Sequence, residues 1–222
     1  MTEQPGTDVL PFADRRAAGR LLAEHLAGSV AWDIWPERTV VLGLPRGGVA
    51  VAEQVAAVLG VPMDVIVTRK IGYPPQPELG VGAIAEGLAE PVYDDDLLRR
   101  LALEPADLTE VVATEEAELA RRIRIYRGGS PPPLVSGQCV IVVDDGLATG
   151  ATARAALRSL RARQAAHLVL AVPVAPPAAT ISMRAEADQV IILAAPRRFS
   201  SVGEWYQAFG QLSDADVLAL LT

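Results

Sequence analysis

The 222-residue chain is short of the residues that most often signal chemistry: one cysteine, two histidines, one lysine, and aromatics at 5%. A lone Cys139 excludes a disulfide framework and a cysteine-based zinc site within the chain. His25 and His167 lie far apart in sequence, which argues against a histidine-rich metal site. Long apolar runs are missing too. The longest, around residues 168–179, carries three prolines and is shorter than the roughly 20 residues that a membrane helix needs. Residues 1–16 lack the apolar stretch of a secretory signal, so a cytoplasmic protein without a membrane partner is expected. Excess positive charge is also absent. A net charge of −7 argues against a general nucleic-acid or membrane-surface binder, and an anionic ligand would need a local basic site.

What is present is hydrophobic residue, half of the total, enough for one α/β domain over residues 1–222. Apolar spacing predicts a helix over 14–26, a strand over 39–44, a helix over 47–59 and a strand over 63–68. Such alternation with short joints predicts a mostly parallel twisted sheet flanked by helices. Residues 71–82 hold three prolines and three glycines and read as a long irregular loop of the kind that forms lids. A short hairpin is expected over 83–93, turning near Gly87, and a mostly helical stretch over 95–126, broken near Pro105. There Glu115, Glu116 and Glu118 stand at helical spacing from Arg121, Arg122 and Arg124. Such a face is either solvated or the subunit contact of a homo-oligomer. A proline-rich linker over 128–137, strands over 168–174 and 189–193, and a helix capped by Ser213 complete the reading.

The most informative run is Val140-Ile141-Val142-Val143-Asp144-Asp145-Gly146-Leu147-Ala148-Thr149-Gly150-Ala151-Thr152. Four β-branched residues make a buried strand, two carboxylates end it, and a Gly/Thr loop leads into a helix over 153–163. Such a loop offers main-chain N–H groups, hydroxyls and the helix dipole to a phosphate. The carboxylates would repel a phosphate, so they suit sugar hydroxyls or a hydrated Mg²⁺ beside a polyphosphate. An ordinary strand-to-turn junction is the bland alternative. A Walker A loop is excluded by Gly-Ala-Thr where Gly-Lys-Ser/Thr is needed, and the Gly-x-Gly-x-x-Gly fingerprint is absent here.

Two further strand ends carry polar chemistry. Arg46-Gly47-Gly48 follows the first strand. Adjacent glycines let the backbone approach an anion, and Arg46 adds a fork of donors suited to a diphosphate. Arg69-Lys70 ends the second strand. Lys70 is the sole lysine among 20 basic residues, and a compact ammonium suits a phosphate oxygen.

These residues together resemble the type I phosphoribosyltransferases, and are most similar to bacterial members of unassigned acceptor. The resemblance covers about residues 39–193 and implies a core there, with a hood built from about 1–38 and 194–222. It implies that Asp144 and Asp145 bind the ribose hydroxyls of phosphoribosyl diphosphate (PRPP). Ala148, Thr149, Gly150, Ala151 and Thr152 would wrap its 5′-phosphate. Arg46, Gly47, Gly48, Arg69 and Lys70 would meet the diphosphate, and residues 71–82 would close over the site. The implied reaction transfers ribose 5-phosphate to a nitrogenous acceptor, with Mg²⁺ carried mainly by PRPP near Asp144 and Asp145. Lys70, Arg46 and Asp145 are the implied catalytic residues. The 6-oxopurine enzymes carry an aspartate where this chain has Ala148, which argues against hypoxanthine or guanine as acceptor. Phe12, Phe199, Trp205, Tyr206 and Phe209 are candidates for stacking a flat acceptor in the hood. Two other readings stay open: a regulatory PRPP-binding protein on the same fold, and a sugar-phosphate phosphohydrolase, for which the loop offers only Thr149 and Thr152.

Overall fold

A computed structural model describes residues 11–28 and 38–221. The chain opens with α1 (Arg15–Ala27), β1 (Thr39–Gly43), α2 (Gly47–Leu59) and β2 (Met63–Val65). Next come β3 (Thr68–Tyr73), β4 (Gln76–Ala85), β5 (Val92–Tyr93), α3 (Asp95–Leu101), a 3₁₀ turn (Pro105–Leu108) and α4 (Thr109–Arg127). It returns through β6 (Cys139–Val143), α5 (Ala151–Ala162), β7 (His167–Val174), α6 (Pro177–Met183), β8 (Gln189–Ala194), a 3₁₀ turn (Val202–Trp205) and α7 (Asp214–Leu220).

Five strands form one wholly parallel sheet in the order β2-β1-β6-β7-β8. Strand alternation divides its side chains between two cores. Val41, Ile141, Val143, Val169 and Ala171 face α1 and α2. Val40, Leu42, Val140, Val142, Leu168 and Leu170 face α5 and α6. Burial on both faces explains why β1 and β6 are buried at every position rather than alternating.

Three expectations change. The strand expected over 63–68 ends at Val65 in the main sheet, and Thr68 already belongs to a second, antiparallel sheet in the order β3-β4-β5. The irregular loop expected over 71–82 is a hairpin of that sheet. Pro74 and Pro75 occupy its turn, where a missing N–H costs nothing, and the register shifts on either side of Gly72. A Cβ on Gly72 would stand 2.5 Å from the Pro77 carbonyl oxygen. The prolines and glycines thus mark a turn and an irregular ladder, not an absence of strand. Finally, α1 buries Ala18, Leu22, Ala23 and Leu26 in the main core. Of the expected N-terminal hood, α1 is therefore a core layer, while 1–10 and 29–37 lie outside the described residues.

The second sheet is anchored by a buried ion cluster. Arg127, at the end of α4, donates from Nη1 to both Asp64 carboxylate oxygens at 2.7 and 2.8 Å. Its Nε and Nη2 donate to the Glu86 carboxylate at 2.9 and 3.0 Å, and Nη2 also meets the Val65 carbonyl at 2.8 Å. Ser159 of α5 donates to the Glu86 carbonyl. One guanidinium thereby joins β2, α4 and the residue after β4, and Glu86 extends the link to α5. Glu86→Ala leaves that buried charge half-compensated. The expected loss of stability is about 3–5 kcal/mol, read from the urea denaturation midpoint. A loss below about 1 kcal/mol, the worth of an exposed pair, would contradict this role.

Candidate functional site

β1 and β6 pair in register, Gly43 beside Val143, and the Leu44 N–H donates to the Val143 carbonyl at 2.9 Å. The segments that leave these strands therefore run side by side. Their contact leaves no room for a side chain. A Cβ on Gly47 would fall 1.9 Å from Asp145 Oδ2, and one on Gly48 would fall 2.7 Å from the Val143 carbonyl oxygen. Both glycines are needed for this close approach. The Pro45–Arg46 peptide is cis. Arg46 is half-buried, and its side chain makes no hydrogen bond or ion pair among the described residues.

The acid pair is held from two sides. Asp144 Oδ1 accepts the Asp145 N–H at 2.8 Å. Asp145 Oδ2 accepts from Arg15 Nε, on the first turn of α1, at 2.7 Å. Burial pushes the Asp144 carboxyl well above the usual carboxylate range, and the charge of Asp145 adds to this. Burial raises Asp145 as well, against the pull of Arg15. The Tyr206 hydroxyl donates to the Asp145 carbonyl, and burial pushes this phenol up. Arg15 also reaches the C-terminal segment. Its Nη1 donates to the Gly210 carbonyl at 2.8 Å, and its guanidinium lies 3.8 Å from the Phe209 ring centroid.

The loop after the acids is pinned by its neighbours. A Cβ on Gly146 would meet Val202 Cγ1 at 2.6 Å, and the Leu147 N–H donates to the Val174 carbonyl at 2.9 Å. Ala148 and Thr149 are exposed. Gly150 starts α5 in the left-handed region, φ +77°, seated on the Met183 side chain. The first-turn N–H groups of this 12-residue helix, from Ala151 and Thr152 onward, have no intrahelical partners and lie in the same loop. The loop and helix N-terminus thus form a main-chain anion cradle directly after two carboxylates.

Arg69 and Lys70, expected to end the second strand, instead lie inside β3, whose alternation sends them to opposite faces. Arg69 pairs across β3–β4 with Ile84, whose side chain packs toward α3 and α4. Its Nε donates to Glu115 of α4 at 2.6 Å. Lys70 pairs with Ala83, which packs against Ala151 and Ala155 of α5. Lys70 therefore lies on the face of the sheet that carries α5, and Arg69 on the opposite one. The Lys70 stem crosses Gly80, and its Nζ donates to the Glu78 carbonyl at 3.0 Å.

Of the five aromatic candidates, Phe12 and Tyr206 are core residues with 3% and 6% exposure, so neither has a free face for stacking. Phe209 carries Arg15 and stacks on Tyr206. Phe199 and Trp205 stack on each other and stay half-buried. Sequence reasoning missed Arg15 and the Tyr206 hydroxyl. They reach Asp145 from 130 and 61 positions away, and no local pattern announces such a contact.

The sequence matches the family described as Phosphoribosyl transferase domain over residues 14–202. The chain belongs to the phosphoribosyl transferase family. Two Mycobacterium tuberculosis proteins, from strains H37Rv and CDC 1551, both named "Putative phosphoribosyl transferase", are 44% identical over 210 residues. These cover 95% of this chain and 46% of theirs, so the chain spans about half the length of these relatives. The crystal structure of TT1426 from Thermus thermophilus is 42% identical, with a TM-score of 0.76 over 95% of this chain and 97% of that one. AQ2163 from Aquifex aeolicus shares the fold at 12% identity, with a TM-score of 0.53 over 89% and 84% of the two chains. The parallel sheet with its small antiparallel companion is the type I fold of this family.

The raised Asp144 carboxyl gives stability a direction with pH. As pH rises past the ordinary carboxylate range, the unfolded chain releases this proton while the folded one keeps it. Stability contributed by the protonated form is present at low pH and is lost progressively until the folded group ionises. Asp144→Asn keeps an oxygen for the Asp145 N–H and removes the titration. The variant is expected to be more stable than the parent at pH 7, by about 1 kcal/mol, and to show a flatter decline between pH 5 and pH 8. Denaturant midpoints across that range test it, and a variant less stable at pH 8 would contradict the assignment.

Proposed function

We propose that the protein transfers ribose 5-phosphate from PRPP to a nitrogenous acceptor and releases pyrophosphate. The observation that supports this most directly is the seating of Asp144 and Asp145 between two loops suited to anions. One is the Gly47–Gly48 turn in contact with the acids, and the other is the cradle at the start of α5. A ligand with a sugar between two phosphate groups fits that sequence of polarities.

In this reading the ribose hydroxyls donate to Asp144 and Asp145. Arg15 occupies Asp145 Oδ2 and leaves Oδ1 toward the ligand. The 5′-phosphate takes the N–H groups and hydroxyls of Ala148, Thr149, Gly150, Ala151 and Thr152. The diphosphate meets the Arg46–Gly48 turn and Lys70. Arg69 is engaged with Glu115 and supports α4 rather than the ligand. Mg²⁺ fits this donor set, because it binds through one or two carboxylates together with phosphate oxygens. When bound with the donor it would neutralise charge on the leaving diphosphate.

The reaction breaks the bond between C1 and the diphosphate oxygen and forms one between C1 and the acceptor nitrogen, which gives up a proton. Positive charge grows on the ribose and negative charge on the leaving group. Arg46 and Lys70 stabilise the departing diphosphate, and the hairpin that carries Lys70 excludes water by closing over the site. The half-buried Phe199–Trp205 pair remains the aromatic surface for a flat acceptor.

Asp145→Asn removes a charged acceptor from the ribose. Calorimetric titration with Mg·PRPP is expected to show at least about tenfold weaker binding, the scale of one hydrogen bond to a charged group. Unchanged affinity would overturn the placement of the donor. Pyrophosphate release should follow when the wild-type protein is given Mg·PRPP and the right member of a panel of nitrogenous acceptors. Binding without release from any acceptor would favour the regulatory reading, and release of inorganic phosphate the phosphohydrolase.

Lys70→Ala probes the leaving-group end. Affinity for Mg·PRPP should drop several-fold while ribose 5-phosphate binds nearly as before. Equal losses for both ligands would contradict a role at the diphosphate.

A further inference from the structure

A cavity of about 660 Å³ opens between α3, α5 and α6. Its size falls within the roughly 300–1,000 Å³ of small-molecule sites. Ala148 and Thr149 of the phosphate loop form one edge, but neither the acid pair nor the Arg46–Gly48 turn lines it. It is therefore a neighbour of the donor site and not its floor.

The cavity has walls of opposite sign. Arg100 and Arg154 each have Nε engaged, by a main-chain carbonyl and by the Glu186 ion pair, and their remaining nitrogens make no hydrogen bond among the described residues. Arg100 uses Nε on the Asp96 carbonyl at 3.2 Å, and Arg154 stands 3.5 Å from Glu186, beyond a good hydrogen bond. Arg158, by contrast, is tied to Glu186 at 2.7 and 3.0 Å, and Arg99 to Asp96. Asp95, on the first turn of α3, also lines the cavity and accepts no hydrogen bond among the described residues. Tyr93 adds an aromatic ring. A bare polyphosphate would meet the α3 carboxylates as well as the arginines. A molecule with a phosphate at one end, and hydroxyl or amino donors on a flat ring at the other, satisfies both walls.

We propose that this cavity is a binding site for a nucleoside monophosphate, and that its occupancy weakens binding of the donor. The phosphate lies against Arg100 and Arg154, and the nucleoside against Tyr93 and Asp95. The coupling rests on the donor site proposed above. Thr149 borders both sites, and Arg154 belongs to the first turn of the helix whose N-terminus would hold the 5′-phosphate. Two phosphates on either side of one short loop repel each other and draw on the same helix terminus. The proposed reaction makes nucleotides when its acceptor is a base, so such a site would report product level back to donor binding.

Calorimetry with AMP and UMP as probes tests this, in the absence of donor and at saturating Mg·PRPP. At least one nucleotide is expected to bind in both conditions. Its affinity should fall about fivefold or more with PRPP present, to a plateau, as a coupling of ordinary size requires. The double variant Arg100→Gln/Arg154→Gln should lose at least about tenfold in nucleotide affinity and lose the coupling. Asp145→Asn should keep this nucleotide binding. The proposal is overturned if neither nucleotide binds, if PRPP displaces it completely, or if the arginine variant binds it unchanged. Full PRPP affinity in Asp145→Asn would instead remove the donor-site reading and leave the nucleotide site standing.

Discussion

The architecture depends on a contact with no space in it. Gly47 and Gly48 press against Asp144 and Asp145 so closely that a single methyl group would overlap a carboxylate or a main-chain atom. In-register pairing of β1 and β6 makes this contact unavoidable, because both strands end at the same level of the sheet. Ligands of open parallel sheets sit beyond such strand ends. Here the two adjoining ends carry opposite tendencies, a glycine turn able to face an anion and a carboxylate pair that would repel one. Their abutment fixes the spacing between the glycine turn and the acid pair before any ligand arrives.

Half-burying two adjacent acids is unfavourable, and the fold offsets it with long-range contacts. Among the described residues Arg15 supplies the one direct countercharge to Asp145, and Tyr206 anchors the same residue by its carbonyl. Phe12 and the 205–208 segment are themselves joined, since the Phe12 N–H donates to the Trp205 carbonyl and the Gln207 N–H to the Phe12 carbonyl. The two chain segments that flank the core thus meet at Asp145 as one unit. This explains why Phe12 and Tyr206 are packed as core residues. The Phe12 ring packs on the Tyr206 ring, whose hydroxyl holds the acid, while Phe209 stacks on Tyr206 and carries the arginine.

Much of this was readable in the order of residues. The helix expected over 47–59 has those bounds in the structure, and Ser213 caps the last helix as its spacing suggested. The acid pair and the Gly/Thr loop lie where strand, turn and helix periodicity put them, because the information is local. What was not readable depends on distance or on context. Arg15 lies 130 positions from Asp145. Arg127, one position past the helical stretch expected over 95–126, is 8% exposed and neutralised by Asp64 and Glu86. The hairpin of β3 and β4 was hidden by its own composition. Prolines and glycines usually argue against strands, but here they form the turn and the shifted register, while Ile71, Val81 and Ile84 supply the packing.

The helix α5 turns these separate contacts into a preorganised site. The Leu147 N–H on Val174 and the Gly150–Met183 contact secure the segment that enters it. Ala151 and Ala155 pack on Ala83, Ala85 and Val92 of the small sheet, small residues that let sheet and helix approach closely. Farther along, Ser159 joins Glu86, and through it the helix is coupled to the Arg127 cluster. The anion cradle proposed at its start, made of main-chain amides, gains most when those amides need no ordering on binding. Fixing the helix at its start, along one side and near its end meets that condition. It also leaves Lys70, on the same face of the small sheet, carried by a hairpin whose base is anchored to α5 and whose turn is not.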